Sequence, residues 1–128
     1  MSRVIALDHG EARCGVAVSD PTGELATPLA AIDRPGTRRG LATLADLVRD
    51  QGADRVVVGL PLTLAGEEGE QARAARSFAD RLAELIAVPV ELHDERLTTK
   101  MAERTGGAAD EDSVAAAHLL ESWLRRSP

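Results

Sequence analysis

The stretch Arg55-Val56-Val57-Val58-Gly59-Leu60-Pro61 constrains the fold more than any other part of this chain. Its apolar residues follow one another without alternation, which is the pattern of a strand covered on both faces. A sheet holding such a strand needs helices above and below it. The chain has the means to supply them. From Thr37 the period changes to that of a helix, with Leu41, Leu44, Leu47 and Val48 on one face and Gly52 as a stop. After Gly66 and Gly69, Ala72, Ala75, Phe78, Ala79, Leu82, Leu85 and Ile86 repeat at i, i+3, i+4 spacing and predict a long helix.

Upstream of that central run lie two short β-rich segments, Arg3 to Leu7 and Gly15 to Ser19, the second stopped by Asp20-Pro21-Thr22-Gly23. Ala26 to Ile32 is a weaker third candidate that would complete a meander. Pro89 to His93 is a fifth strand candidate. A loop around Gly106-Gly107 then precedes a final helix from Ser113 to about Arg125. The order β-β-β-α-β-α-β-α predicts an α/β fold: one mixed five-stranded sheet, antiparallel first and parallel after, flanked by helices.

Three acidic positions stand out in this layout. Asp8 ends the first strand, Asp94-Glu95 ends the fifth and Asp112 opens the last helix. Sites in open α/β sheets collect outside the carboxyl ends of the strands. Carboxylates meeting there would repel unless divalent cations neutralised them, which is the requirement of two-metal phosphoryl chemistry. Each residue also has a plainer reading. Asp8 before Gly10 suits a turn, Asp112 suits a helix N-cap, and Glu95 beside Arg96 suits an exposed ion pair. Spacing proposes the cluster without choosing between these.

Composition removes several other classes. The 128 residues suit one domain spanning 1–128, and no apolar run reaches the length of a membrane span. With no signal peptide in view, the expectation is a cytoplasmic protein. A single cysteine, Cys14, excludes an internal disulfide framework and a multi-cysteine zinc site. His9, His93 and His118 lack metal-ligand spacing, and no phosphate-binding glycine loop occurs. The formal net charge of -6 and an aromatic content of 2% argue against a DNA-coating protein or a stacking platform for single strands. An enzyme whose carboxylates hold cations remains compatible with that charge.

At these same residues the chain resembles a known family. Asp8-His9-Gly10-Glu11-Ala12-Arg13-Cys14-Gly15-Val16-Ala17-Val18-Ser19-Asp20 resembles the DxGxxRxGxAxSD opening of the YqgF/RuvX family. Val58 to Leu62 resembles its VVGLPL strand, and Gly66 to Ala79 its G-x-E-x-x-x-A-x-x-F helix entry. Asp94 to Thr99 resembles its DERLTT block, and Asp112 to Leu124 its closing D-x-x-AA…L-x-S-[YW]-L helix. The resemblance implies an RNase H-like fold and a nuclease dependent on Mg²⁺ or Mn²⁺. It implies structured RNA as substrate, the 5′ end of pre-16S rRNA, or branched DNA such as a Holliday junction. By motif position it implies Asp8, Glu95 and Asp112 as catalytic metal ligands, with Asp94 as a neighbour, and Arg13, Arg96 and Thr98 as phosphate contacts.

One departure bears on substrate binding. Relatives carry a longer Lys/Arg-rich segment before the last helix, whereas Lys100 to Glu111 is short, glycine-containing and acidic at its end. Arg34, Arg38 and Arg39, or a second subunit in a homodimer, would then have to compensate. On this reading metal bridging supplies much of the attraction, and only about two to four phosphates are neutralised, by Arg13 and Arg96 among others. A non-catalytic module binding RNA or a partner protein is the competing class. An actin-like ATPase fragment gains from Asp8-His9-Gly10 but lacks a second phosphate loop.

Overall fold

Five strands and three helices follow one another in the expected order. They are β1 (Val4–His9), β2 (Arg13–Ser19), β3 (Ala26–Asp33), α1 (Arg38–Asp50), β4 (Arg55–Leu60), α2 (Glu70–Ala83), β5 (Val90–Asp94) and α3 (Glu111–Leu124). This computed structural model describes residues 3–95 and 111–126, without the side chain of Glu111. The loop expected around Gly106-Gly107 therefore lies outside the described residues, as do Arg96 and Thr98.

The sheet order is β3-β2-β1-β4-β5. β1 pairs antiparallel with β2, and β2 with β3, while β1–β4 and β4–β5 are parallel. Pro28, which cannot donate to a ladder, sits in the edge strand β3. Alternation splits the core into two layers. Ile5, Leu7, Val16, Val56 and Val58 join Leu41, Leu44, Phe78 and Leu82 beneath α1 and α2. Val4, Ala6, Ala17 and Val57 face Ala116, Leu119, Leu120 and Trp123 of α3. Burying each large aliphatic side chain in these layers stabilises the fold by about 2 kcal/mol. The start of α1 is fixed by Thr37, whose hydroxyl oxygen accepts from the Gly40 N–H at 3.0 Å.

Of the boundaries that differ from the sequence reading, three matter most here. β1 runs on through Asp8 and His9, because they pair with Gly15 and Cys14 of β2; Asp8 is a strand residue and not a turn residue. α2 stops at Ala83, and Leu85 is 54% exposed, although Ile86 still packs on the core. The chain turns there, packs Val88 on the core and enters β5 at Val90. Finally, α3 is already helical at Glu111, so Asp112 lies inside the helix and not at its cap.

Candidate active site at the carboxyl edge of the sheet

Because β1, β4 and β5 are parallel, Asp8, Leu60 and Glu95 reach the same edge of the sheet. Along β1, Val4 and Ala6 face α3, and alternation turns Asp8 the same way. Along β5, Glu91 accepts from the Trp123 indole N–H at 2.6 Å and His93 Nε2 lies 3.1 Å from Ser122 Oγ. Both contacts reach α3, so Glu95 follows them to that face and Asp94 falls on the other.

The Asp8 and Glu95 carboxyls are hydrogen-bonded to each other, with Glu95 donating. Burial lifts Asp8 to about 6; the Asp112 charge adds to this and the Glu95 hydrogen bond opposes it. Burial also lifts Glu95 to about 8, helped by the charge and hydrogen bond of Asp8 and then by the charge of Asp94. The pair thus holds one proton near neutrality, on Glu95. Arg13 Nε stands 3.7 Å from Asp112 Oδ2, and that pair is half exposed. Cys14 is fully buried, and its thiol is pushed up by burial and then by Asp8 and Asp112, so it stays protonated packing. His9 faces away: its ring packs on Phe78 with centroids 4.7 Å apart, and burial lowers its pKa.

The sequence-derived candidates Asp8, Glu95, Asp112 and Arg13 therefore gather at one edge. The chain as a whole has known relatives. The RuvX family profile, described as Holliday junction resolvase, matches residues 2–126. The chain belongs to the RuvX family. Relatives bearing the provisional name pre-16S rRNA nuclease include one from Chloroflexus aurantiacus, 44% identical over 97% of this chain and 88% of its own length. Another, from Anaeromyxobacter dehalogenans, is 43% identical over 98% of this chain and 99% of its own. Among solved structures, Thermus thermophilus RuvC in complex with a Holliday junction substrate superposes with a TM-score of 0.65 at 14% identity, covering 97% and 94% of the two chains. That likeness establishes the RNase H-like fold.

Three residues of this RuvX chain build the site without having stood out as site residues in the sequence. A Cβ at position 15 would collide with the Asp112 carbonyl, so Gly15 lets the start of α3 rest directly on β2. A Cβ at position 59 would collide with the Glu95 carboxylate, so Gly59 leaves room for that side chain to lie over β4. Ser113, fully buried, accepts from the Val16 N–H at 3.1 Å. There the β2–β3 register shifts between Cys14 and Val16, which interrupts the ladder. Both glycines fall inside the family motifs, whereas nothing in spacing or composition points to Ser113.

Proposed function

We propose that this chain is a single-domain, metal-dependent nuclease acting in the cytoplasm on structured RNA, with the 5′ end of the 16S rRNA precursor as its substrate. The convergence of Asp8, Glu95 and Asp112 at the carboxyl edge carries this reading. Three carboxylates in a half-buried site disfavour full ionisation, and their all-oxygen donor set suits Mg²⁺ or Mn²⁺. Among the described residues no three His, Cys, Asp or Glu side chains are arranged as a ligand set. Asp8 and Glu95 instead hold a proton, and Asp112 faces Arg13. The fit is one of charge and donor type: release of the shared proton frees both carboxylates for a divalent cation.

Bound by Asp8, Glu95 and Asp112, divalent ions would supply charge neutralisation at the scissile phosphate and lower the pKa of water. The side chains have separate tasks. Asp8 is the first of the pair to ionise as pH rises. Glu95 gives up its proton next, to solvent, and its carboxylate lies in the room over β4 that Gly59 leaves. Arg13, beside Asp112, would meet a phosphate oxygen. Arg96 and Thr98 take the same work by motif position. A second reading, cleavage of a four-way DNA junction, draws on the family's description. It uses the same chemistry but requires a two-fold pair of chains.

The test combines Mn²⁺ titration with cleavage of a 5′-extended 16S precursor and of a four-way junction. Asp8→Asn and Glu95→Gln should lose Mn²⁺ binding and cleave at least about 100-fold more slowly with unchanged circular dichroism. Wild-type chain that binds Mn²⁺ no better than Asp8→Asn would leave the non-catalytic RNA-binding module standing. Depletion in cells should accumulate 5′-extended rRNA; accumulation of junctions instead would transfer the substrate to DNA.

A further inference from the structure

Most described arginines of this acidic chain already have a partner. Arg13 faces Asp112, Arg49 faces Asp46, Arg55 faces Glu91 and Arg76 faces Glu68, while Arg126 lies over the Trp123 ring. Arg34, Arg38, Arg39 and Arg81 have none among the described residues, and all four are exposed. They gather at one corner. Arg34 lines a groove of about 530 Å³ together with Glu11, Ala12, Gly36 and Thr37. Arg81 Nη1 lies 3.7 Å from where a Cβ on Gly36 would sit. Arg38 and Arg39 open α1, whose first turn carries no acid. The positive end of the helix dipole adds to their field.

We propose that Arg34, Arg38, Arg39 and Arg81 form a docking face for the sugar-phosphate backbone of a nucleic acid bound at the acidic edge. The inference rests on the nuclease reading and deepens it. Arg34 is held at φ 43, a left-handed conformation costly for a residue with a side chain. The turn is pinned on both sides. The Arg34 N–H donates to the Ala12 carbonyl at 2.8 Å, and its own carbonyl accepts from the Thr37 N–H at 3.1 Å and hydroxyl at 2.8 Å. Ala12 belongs to the β1–β2 connection, so the corner is tied to the hairpin that carries Asp8 and Arg13. From β1 to β3 is two strand spacings, roughly 10 Å. A backbone crossing that distance places about three phosphates between the acidic edge and the corner. Glu11, the exposed Asp33 and Glu70, which shares a neighbouring groove with Gly36, are nearby acids, and the four arginines outnumber these three. The acidic net charge is thus compatible with polyanion binding, because among the described residues four of the five arginines whose side chains have no partner, all but Arg125, lie at this corner.

The experiment measures binding of labelled single-stranded RNA, duplex DNA and a four-way junction to the cleavage-dead Asp8→Asn chain, in chelator, across a salt series. Replacing all four arginines by Gln should reduce the slope of log K against log salt by about three. Each single replacement should reduce it by about 0.7–0.9, and the probe that responds identifies the polymer. Arg125→Gln, an exposed charge at the far end of α3, should leave the slope nearly unchanged. If the fourfold variant fails to fold, the single variants decide. Slopes that do not respond at Arg34, Arg38, Arg39 or Arg81, or that respond equally at Arg125, overturn the docking face while the nuclease reading stands. A parent chain that binds none of the three polymers in chelator also overturns the docking face; the nuclease reading falls only if the wild-type chain fails to cleave in Mn²⁺ as well.

Discussion

The two faces of the sheet are built to opposite rules. Beneath α1 and α2 the contact is made by Ile5, Leu7, Leu44, Val58, Phe78 and Leu82, large side chains that keep helix and sheet apart and exclude water. Against α3, Ala6, Ala17, Ala116 and Ala117 share the contact, and Gly15 and Gly59 extend it to the carboxyl edge. The first face maximises apolar area. The second lets a helix approach closely enough for its own backbone and a buried carboxyl to rest on the strands. Both faces bury large apolar side chains, Leu119, Leu120 and Trp123 of α3 among them, but only the α3 face adds the small residues at the carboxyl edge that leave the carboxyls room.

That division can be broken most severely at Gly15. Gly15→Ala should push the start of α3 away from β2 and weaken cleavage about 100-fold, since displacements near 1 Å cost that much at a reacting centre. Leu44→Ala, on the opposite face, should cost about 3 kcal/mol of stability yet leave turnover per folded molecule unchanged. Denaturant unfolding beside kcat separates the two; a Leu44→Ala chain that folds but does not cut would erase the distinction.

A smaller loss is expected at Ser113, which secures the same helix start. Ser113→Ala leaves the Val16 amide buried without its acceptor, at a cost of about 1–3 kcal/mol. Cleavage should fall about tenfold, with faster hydrogen exchange at Val16, and Ser113→Thr should recover both.

The pH dependence of the metal-free chain tests whether the α3 face carries the strained charge. Glu95 is raised from 4.5 to about 8 and Asp8 from 3.8 to about 6. Between those limits the native state binds more protons than the unfolded state, so these groups make stability fall as pH rises, by up to about 1.4 kcal/mol per unit for each extra proton. Asp8→Asn should flatten the profile between pH 5 and 8, and Mn²⁺ affinity of the wild type should rise across the same range. Equal slopes in wild type and Asp8→Asn would mean that Asp8 is neither raised itself nor raises Glu95. The smallest effect belongs to Asp94→Asn. Asp94 lies on the other side of β5 and acts on Glu95 only through its field, so cleavage should change by no more than about threefold.

Much of this arrangement was legible in the order of residues. Val56-Val57-Val58 requires cover on both faces wherever it is placed, and the apolar spacing of α1 and α2 provides half of that cover. Strand ends then put Asp8 and Glu95 at one edge once β1, β4 and β5 are taken as parallel. Periodicity could not place Asp112, because an acid at a helix start satisfies a cap as readily as a site. Nor could it assign Asp94 and Glu95 to opposite sides, a question decided by the contacts of Glu91 and His93 with α3.

The sequence by itself determined which segments are strands and helices, and which acids lie at their ends, because side-chain period and turn chemistry are local. Only the tertiary structure decided which of those acids meet, where the unpaired arginines gather, and why positions 15 and 59 are glycine. A glycine acts there by leaving space, and a missing side chain has physical meaning only when another part of the chain comes to occupy the room.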